Sequence, residues 1–436
     1  MSYPTLLISG KYLLPTSSQS SLLSDHGIAV TGDTITEIAP YEELHKRYPK
    51  AERLHTPFGL IMPGLVNTHT HAAMSCFRGI ADDLPLMTWL QEHIFPAETK
   101  LTPDIVYKAT LLSIAEMIKS GTTSFNDMYL FAKEVAAAAD SAGIRAWIGE
   151  VLYDFPSPSY GELENGFNYV HEMFTQYRNN PLISITVDPH SVYTCAPDLL
   201  CKTAQIAEDL DLNLHIHLSE NVPEVDTCRE RYHRTPVQHL ENLGVLSKRV
   251  IAAHCVVLDP HDIELLAEQN VNVSHCLESN MKLASGSAPV VELMQSGINV
   301  SIGTDGSASN NDVDMFGEIS TVAKVHKGIN LDPTVMNAET TLGCATIGGA
   351  NALSASDTTG SIEVGKKCDC IVLDMDQPHL TPCYNVVSHL VYAARGSDVV
   401  HSVINGRVVM KNRKLQTIDE EKLLAEMRSL AGKICP

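Results

Sequence analysis

Eight short apolar runs, rich in β-branched residues, recur between residues 64 and 302, and segments with helical periodicity separate them. The runs are 64–67, 122–125, 146–151, 183–188, 214–218, 250–253, 271–274 and 299–302. Alternating strands and helices argue for a parallel sheet, since parallel neighbours are joined only through crossovers. Eight such units over roughly 290 residues predict an α/β fold, a (β/α)8 TIM-type barrel. A doubly wound open sheet is the alternative. One helix is well marked: Thr102 stands at an N-cap, Pro103 at the first helical position, apolar residues recur through Ile118, and Gly121 closes the pattern.

Both ends of the chain depart from the alternation. Residues 6–9, 27–30 and 34–38 read as short strands with Gly/Asp turns, as do 370–373, 399–404 and 407–410. We expect residues 1–62 and 361–436 to meet in a second small β-sandwich domain beside a barrel of residues 63–360. Apolar residues make up 44% of the 436 positions and charged residues 19%, enough for a large core. The formal net charge of −21 disfavours gripping a phosphate backbone or an anionic membrane. No apolar run approaches the ~18 residues of a membrane helix, and the first residues lack a secretory pattern. Eleven cysteines without C-x-x-C spacing read as reduced thiols, hence a cytoplasmic address.

The chemistry is written in histidines. A predicted strand runs into His69-Thr70-His71, and alternate side chains on an extended segment share a face, so both rings can approach one cation. His215-Ile216-His217-Leu218-Ser219-Glu220 repeats the pattern and adds a carboxylate. Either His215 or His217 could be the ligand on spacing alone. His254 ends the sixth strand and Asp305 follows the eighth. Taken singly, each has a bland reading: a hydrogen-bonded structural histidine, or an Asp-Gly turn. Together they fall on one rim, because the C-terminal ends of barrel strands converge there. Rival motifs fail. Residues 360–366 read G-x-x-x-x-G-K, but Lys367 stands where a phosphate loop needs Ser or Thr. His239-Leu240-Glu241 has no P-C-x-x-C after it, and neither H-E-x-x-H nor G-x-S-x-G occurs.

The sequence resembles the amidohydrolase superfamily over essentially its whole length. The stretch Pro63-Gly64-Leu65-Val66-Asn67-Thr68-His69-Thr70-His71 looks like the superfamily's first-strand motif. Ser274-His275-Cys276-Leu277-Glu278-Ser279-Asn280-Met281-Lys282-Leu283 and Gly303-Thr304-Asp305-Gly306 look like the branch of adenosine-type deaminases and s-triazine hydrolases. Leu86-Met87-Thr88-Trp89-Leu90 with Phe95-Pro96-Ala97-Glu98 is similar to the 5′-methylthioadenosine/S-adenosylhomocysteine deaminase family. The resemblance implies one divalent metal ion, Zn2+ by preference, on His69, His71, His217 and Asp305. The family pattern H-x-x-E selects His217 over His215. It implies Glu220, His254 and Asp305 as catalytic, and Glu98, His190, Trp89, Glu220 and Asp305 as substrate-binding. Val187-Asp188-Pro189-His190 offers no lysine for a second metal.

The implied reaction is hydrolytic deamination of an adenine ring, with Glu220 protonating the ring nitrogen and His254 and Asp305 handling the water proton. Relatives that accept S-adenosylhomocysteine are expected to place arginines near the third strand. After Arg145 this chain has Glu150, Asp154, Glu162 and Glu164 and no arginine before Arg178. A neutral 5′ group is therefore expected, as in 5′-methylthioadenosine, with Leu86, Met87 and Trp89 packed on it. The alternatives are a hydrolase of a free heterocycle (an s-triazine, guanine or an 8-oxopurine) and a catalytically dead scaffold. The expected partners are a small nucleoside and a second copy of the chain in a homo-oligomer, with no nucleic acid and no membrane.

Overall fold

The computed structural model describes residues 3–84 and 88–434. Its centre is an eight-stranded sheet whose strands pair in parallel and in chain order. They are Leu65–Thr70, Thr122–Tyr129, Arg145–Leu152, Ile183–Pro189, Asn213–Leu218, Val250–His254, Asn272–His275 and Val300–Ile302. The first and eighth strands do not form a continuous ladder; polar groups close the seam between them. The Asp305 N–H donates to the His69 carbonyl at 3.0 Å. Asn67 and Thr304 exchange two hydrogen bonds of 2.7 and 3.0 Å. The Thr68 hydroxyl lies 2.6 Å from Ser274 Oγ and 3.0 Å from the Ile302 carbonyl. The sheet is thus a nearly closed barrel, as the alternation predicts.

The marked helix spans Pro103–Ser120. Thr102 Oγ1 accepts from the Ile105 N–H, and Gly121 takes φ 95° in the left-handed region. The next helix, Ala132–Ala142, buries Ala132, Val135, Ala136, Ala138, Ala139 and Ala142, so the small side chains let it lie close. Residues 360–366 form a turn, with Gly360 and Gly365 at φ 86° and 101°. His239 is buried and stacks on Tyr232 at 3.9 Å.

The two termini build one mixed sheet. Glu52–Pro63 is its centre, parallel to Leu6–Leu13 and antiparallel to Cys370–Asp374. His26–Thr31 and Thr34–Pro40 extend one side, Val399–Ile404 and Arg407–Lys411 the other. The sequence pattern missed Glu52–Pro63. Pro57 and Gly59 interrupt its alternation, and the ladder with Leu6–Leu13 shifts register there, between Thr56 and Leu60. Pro63 passes directly into the first barrel strand. Gly64 is required at the join, since a Cβ would come within 2.0 Å of Thr123 Oγ1. The terminal sheet and barrel are also pinned by a buried ion pair, Arg145 Nε to Asp369 Oδ2 at 2.7 Å.

Candidate active site

The sequence-selected residues gather at the C-terminal rim. His69 and His71 lie at the end of the first strand, His217 on the fifth, His254 on the sixth, and Asp305 just past the eighth. Parallel register brings them level: Leu218 pairs with His254, and His275 with Ile302. Two rim residues pay a backbone cost for their positions: His254 and Asp305 have φ 73° and 61°, in the left-handed region.

Hydrogen bonding fixes which ring nitrogens face inward. His71 Nδ1 donates to the Met128 carbonyl at 2.5 Å, and His217 Nδ1 donates to the His190 carbonyl at 2.8 Å. A carbonyl only accepts, so Nε2 of each ring is left with its lone pair. His69 Nδ1 is taken by His215 Nε2 at 2.8 Å. Its Nε2 is buried and lacks a hydrogen-bond partner. It lies 3.4 Å from Asp305 Oδ1; His71 Nε2 lies 3.3 Å from the same oxygen and 3.2 Å from His217 Nε2. Ligand atoms of His69, His71 and His217, and of His69, His254 and Asp305, lie within 4.8 Å of one another. A buried nitrogen without a partner, facing imidazoles and a carboxylate, fits a divalent cation. Desolvation keeps His69 and His254 neutral by pushing their pKa down to about 4. His215 shares its face with His217 but sits one layer deeper, against His69 and 3.0 Å from Asn126 Nδ2. It backs the His69 ring and does not join the inward cluster.

A short helix the sequence did not explain supports the rest. From Leu277–Lys282, Ser279 Oγ donates to Asp305 Oδ2 at 2.6 Å, while the Asn280 amide lies 2.9 Å from His254 Nδ1. Ser309 Oγ and the Gly306 N–H also donate to Asp305, at 2.9 and 2.8 Å. Asp305 is thereby held as a fixed carboxylate, and His254 presents Nε2 to the site.

A cavity opens beside this cluster. His71, His217, Glu220, His254 and Asp305 line its floor side, with Glu98, His190, Trp89, Tyr153 and Phe155 among the remaining walls. Burial, with the Asp305 charge adding to it, pushes the Glu220 carboxyl up to about 8. Burial pushes Glu98 up to about 7, against a hydrogen bond that the Tyr129 hydroxyl donates at 2.8 Å. His190 Nδ1 is taken by Ser191 and Thr194 hydroxyls at 3.0 and 2.8 Å, leaving Nε2 for the cavity. Trp89 is buried in a turn of π-helix, Trp89–Ile94. Leu86 and Met87 lie outside the described residues. Among those described, no lysine or arginine lines the cavity. Sequence reasoning missed Tyr129, Ser279, Asn280 and Ser309. Only Ser279 and Asn280 lay in a quoted motif, and their targets are 26 residues away in the chain.

Residues 60–409 match the model of the amidohydrolase family. The 5-methylthioadenosine/S-adenosylhomocysteine deaminase of Syntrophobacter fumaroxidans is 53% identical, over 94% of this chain and 93% of its own. A 5′-deoxyadenosine deaminase of Methanosarcina acetivorans is 43% identical over 98% of each. The crystal structure of an adenosine deaminase from Xanthomonas campestris with bound zinc superposes with a TM-score of 0.97 at 40% identity, covering 99% of this chain and 98% of that one.

Proposed function

As this chain belongs to the amidohydrolase family, we propose that it deaminates the adenine ring of a 5′-modified adenosine by hydrolysis, yielding the inosine analogue and ammonia. The observation that carries this reading is a protonatable Glu220 beside inward-facing His69, His71, His217 and Asp305, at a cavity whose other walls carry Glu98, His190 and Trp89. A divalent metal, zinc by analogy with the zinc-bound relative, would be held by His69, His71, His217 and Asp305. Such a metal supplies a Lewis acid that lowers the pKa of a water toward ~7.

The chain's own groups do the proton work. An aromatic carbon bearing an amine accepts a nucleophile once the adjacent ring nitrogen is protonated. Glu220, uncharged near neutral pH, donates that proton. His254 and Asp305 accept the proton lost by the water and return one to the departing amine. A C–O bond forms, the C–N bond breaks, the nitrogen leaves as ammonia, and the second water proton passes to Glu220 as the ring carbonyl forms, which restores the acid. Glu98, steadied by Tyr129, accepts from ribose hydroxyls. His190 offers Nε2 to the purine edge, and Trp89 packs on the sugar's 5′ side. A bare heterocycle would leave Glu98 with Tyr129 as its one donor and no ribose hydroxyl to bind, which disfavours the free-base alternative.

The 5′ group is neutral in this reading. An S-adenosylhomocysteine tail carries a carboxylate, and the described cavity walls offer it no bidentate cation while adding Glu98. No described helix is long and apolar enough to cross a membrane. Seven of the described cysteines are buried free thiols, which supports a reducing compartment. The deciding experiment follows ammonia release and the purine absorbance change across a panel of adenosines and free bases. The expected ranking by kcat/KM is 5′-methylthioadenosine above S-adenosylhomocysteine, with free bases inert. Turnover of a free base alone overturns the reaction assignment; equal rates for both thioethers overturn the charge argument.

A further inference from the structure

Glu224 has no role in the scheme above, yet it is 4% exposed and sits four residues past Glu220. It occupies the third position of the helix Val222–Tyr232, which Asn221 caps by accepting from the Glu224 N–H at 2.9 Å. A glutamate there ordinarily reaches back to the cap residue's own N–H. This one reaches further. Its Oε1 accepts from the Ser219 N–H at 3.1 Å, and its Oε2 from the Glu220 N–H at 2.7 Å. Ser219 is itself in the left-handed region, φ 52°, a conformation that needs outside support in a residue with a side chain.

The far side of the same turn is tied to the sixth strand. The Ser219 carbonyl accepts from Val256 and Val257 N–H groups at 3.0 and 2.9 Å, just beyond His254. The Leu218 carbonyl accepts from the Cys255 N–H at 3.0 Å. One strained peptide unit therefore sits between the proton donor and the base, with Glu224 gripping its N–H side.

We propose that Glu224 is a positioning residue for the deamination: its two carboxylate oxygens hold the backbone at Ser219 and Glu220, and so fix the distance between the Glu220 carboxyl and His254. The inference rests on the role of Glu220 given above. A bidentate carboxylate is needed, because a glutamine would turn its NH2 against one of the two N–H donors. Loss of alignment falls on proton transfer in the transition state, and nucleoside binding by Glu98 and His190 is untouched.

The test compares Glu224→Gln with Asn221→Ala in the metal-loaded enzyme, reading kcat, KM, bound metal and Tm with 5′-methylthioadenosine. Asn221→Ala removes the cap of the same helix and serves as the control for fraying. Glu224→Gln is expected to lower kcat about 100-fold with KM within about 3-fold and metal content unchanged. Asn221→Ala is expected to lower Tm while kcat stays near wild type. If Glu224→Gln does not fold, Glu224→Asp, which keeps the charge but is one methylene short, is read the same way. Equal kcat for Glu224→Gln and wild type, with only Tm lowered, overturns the proposal and leaves a helix cap. A wild-type enzyme that releases no ammonia from any adenosine defeats the reading of Glu220 and takes this inference with it.

Discussion

Two carboxyls in the cavity are pulled in the same direction by burial but serve different ends. Glu220 is pushed up to about 8 and lines the cavity, where the proposed reaction makes it the acid; Glu98 is pushed up to about 7 and is tied to Tyr129. A general acid works only while protonated, so activity is present below the Glu220 pKa and lost as pH rises through it. The kcat–pH profile should therefore fall on its basic side near pH 8; a profile flat to pH 10 would remove Glu220 as the acid. Glu220→Gln cannot supply the proton and should lose about 10²–10⁴ in kcat with metal content intact. Tyr129→Phe deletes one hydrogen bond to Glu98, worth about 1 kcal/mol, and should raise KM for nucleosides several-fold while kcat changes little. Steady-state kinetics on the two variants separate these roles.

The elements that position those residues differ in how visible they are in the sequence. The helix Pro103–Ser120 was legible because its signals are local: cap, proline and closing glycine stand within the helix or next to it. Thr102→Ala should cost about 1 kcal/mol of stability, read as a lowered Tm or urea midpoint, with kcat unchanged. The rim histidines were legible because each stands at the end of a short apolar run, and the strand ends of a barrel share one rim. Leu277–Lys282 was opaque. Its value lies in Ser279 and Asn280 meeting Asp305 and His254, partners that only the barrel's closure brings near. The same holds for His215 and His217: spacing puts both on one face, and only depth in the barrel separates the ring that backs His69 from the ring that joins it. Glu52–Pro63 was hidden for a third reason, a bulge at Pro57 and Gly59 that breaks the period-two pattern.

At the scale of the whole molecule, the barrel separates stability from chemistry end to end. Arg145 begins the third strand and Asp369 enters the terminal sheet, so their ion pair lies at the rim opposite the histidines. Both side chains are nearly fully buried, and Arg145 also donates to the Pro181 carbonyl at 2.9 Å and to Asn405 Oδ1 at 3.2 Å. Removing one partner strands the other charge away from water, which costs about 3–5 kcal/mol. Arg145→Ala should thus lower Tm markedly yet leave kcat of the folded enzyme near wild type, because neither Arg145 nor Asp369 lines the cavity. Metal removal acts from the other end. A strong chelator should abolish deamination and also lower Tm, since a cation bound to the folded state alone stabilises it. Re-addition of Zn2+ should restore both. Calorimetry and turnover on the same samples distinguish the two cases: Arg145→Ala moves Tm without kcat, and chelation moves them together. If Arg145→Ala depresses kcat as strongly as chelation does, the terminal sheet is coupled to the catalytic rim and the two ends of the barrel are not independent.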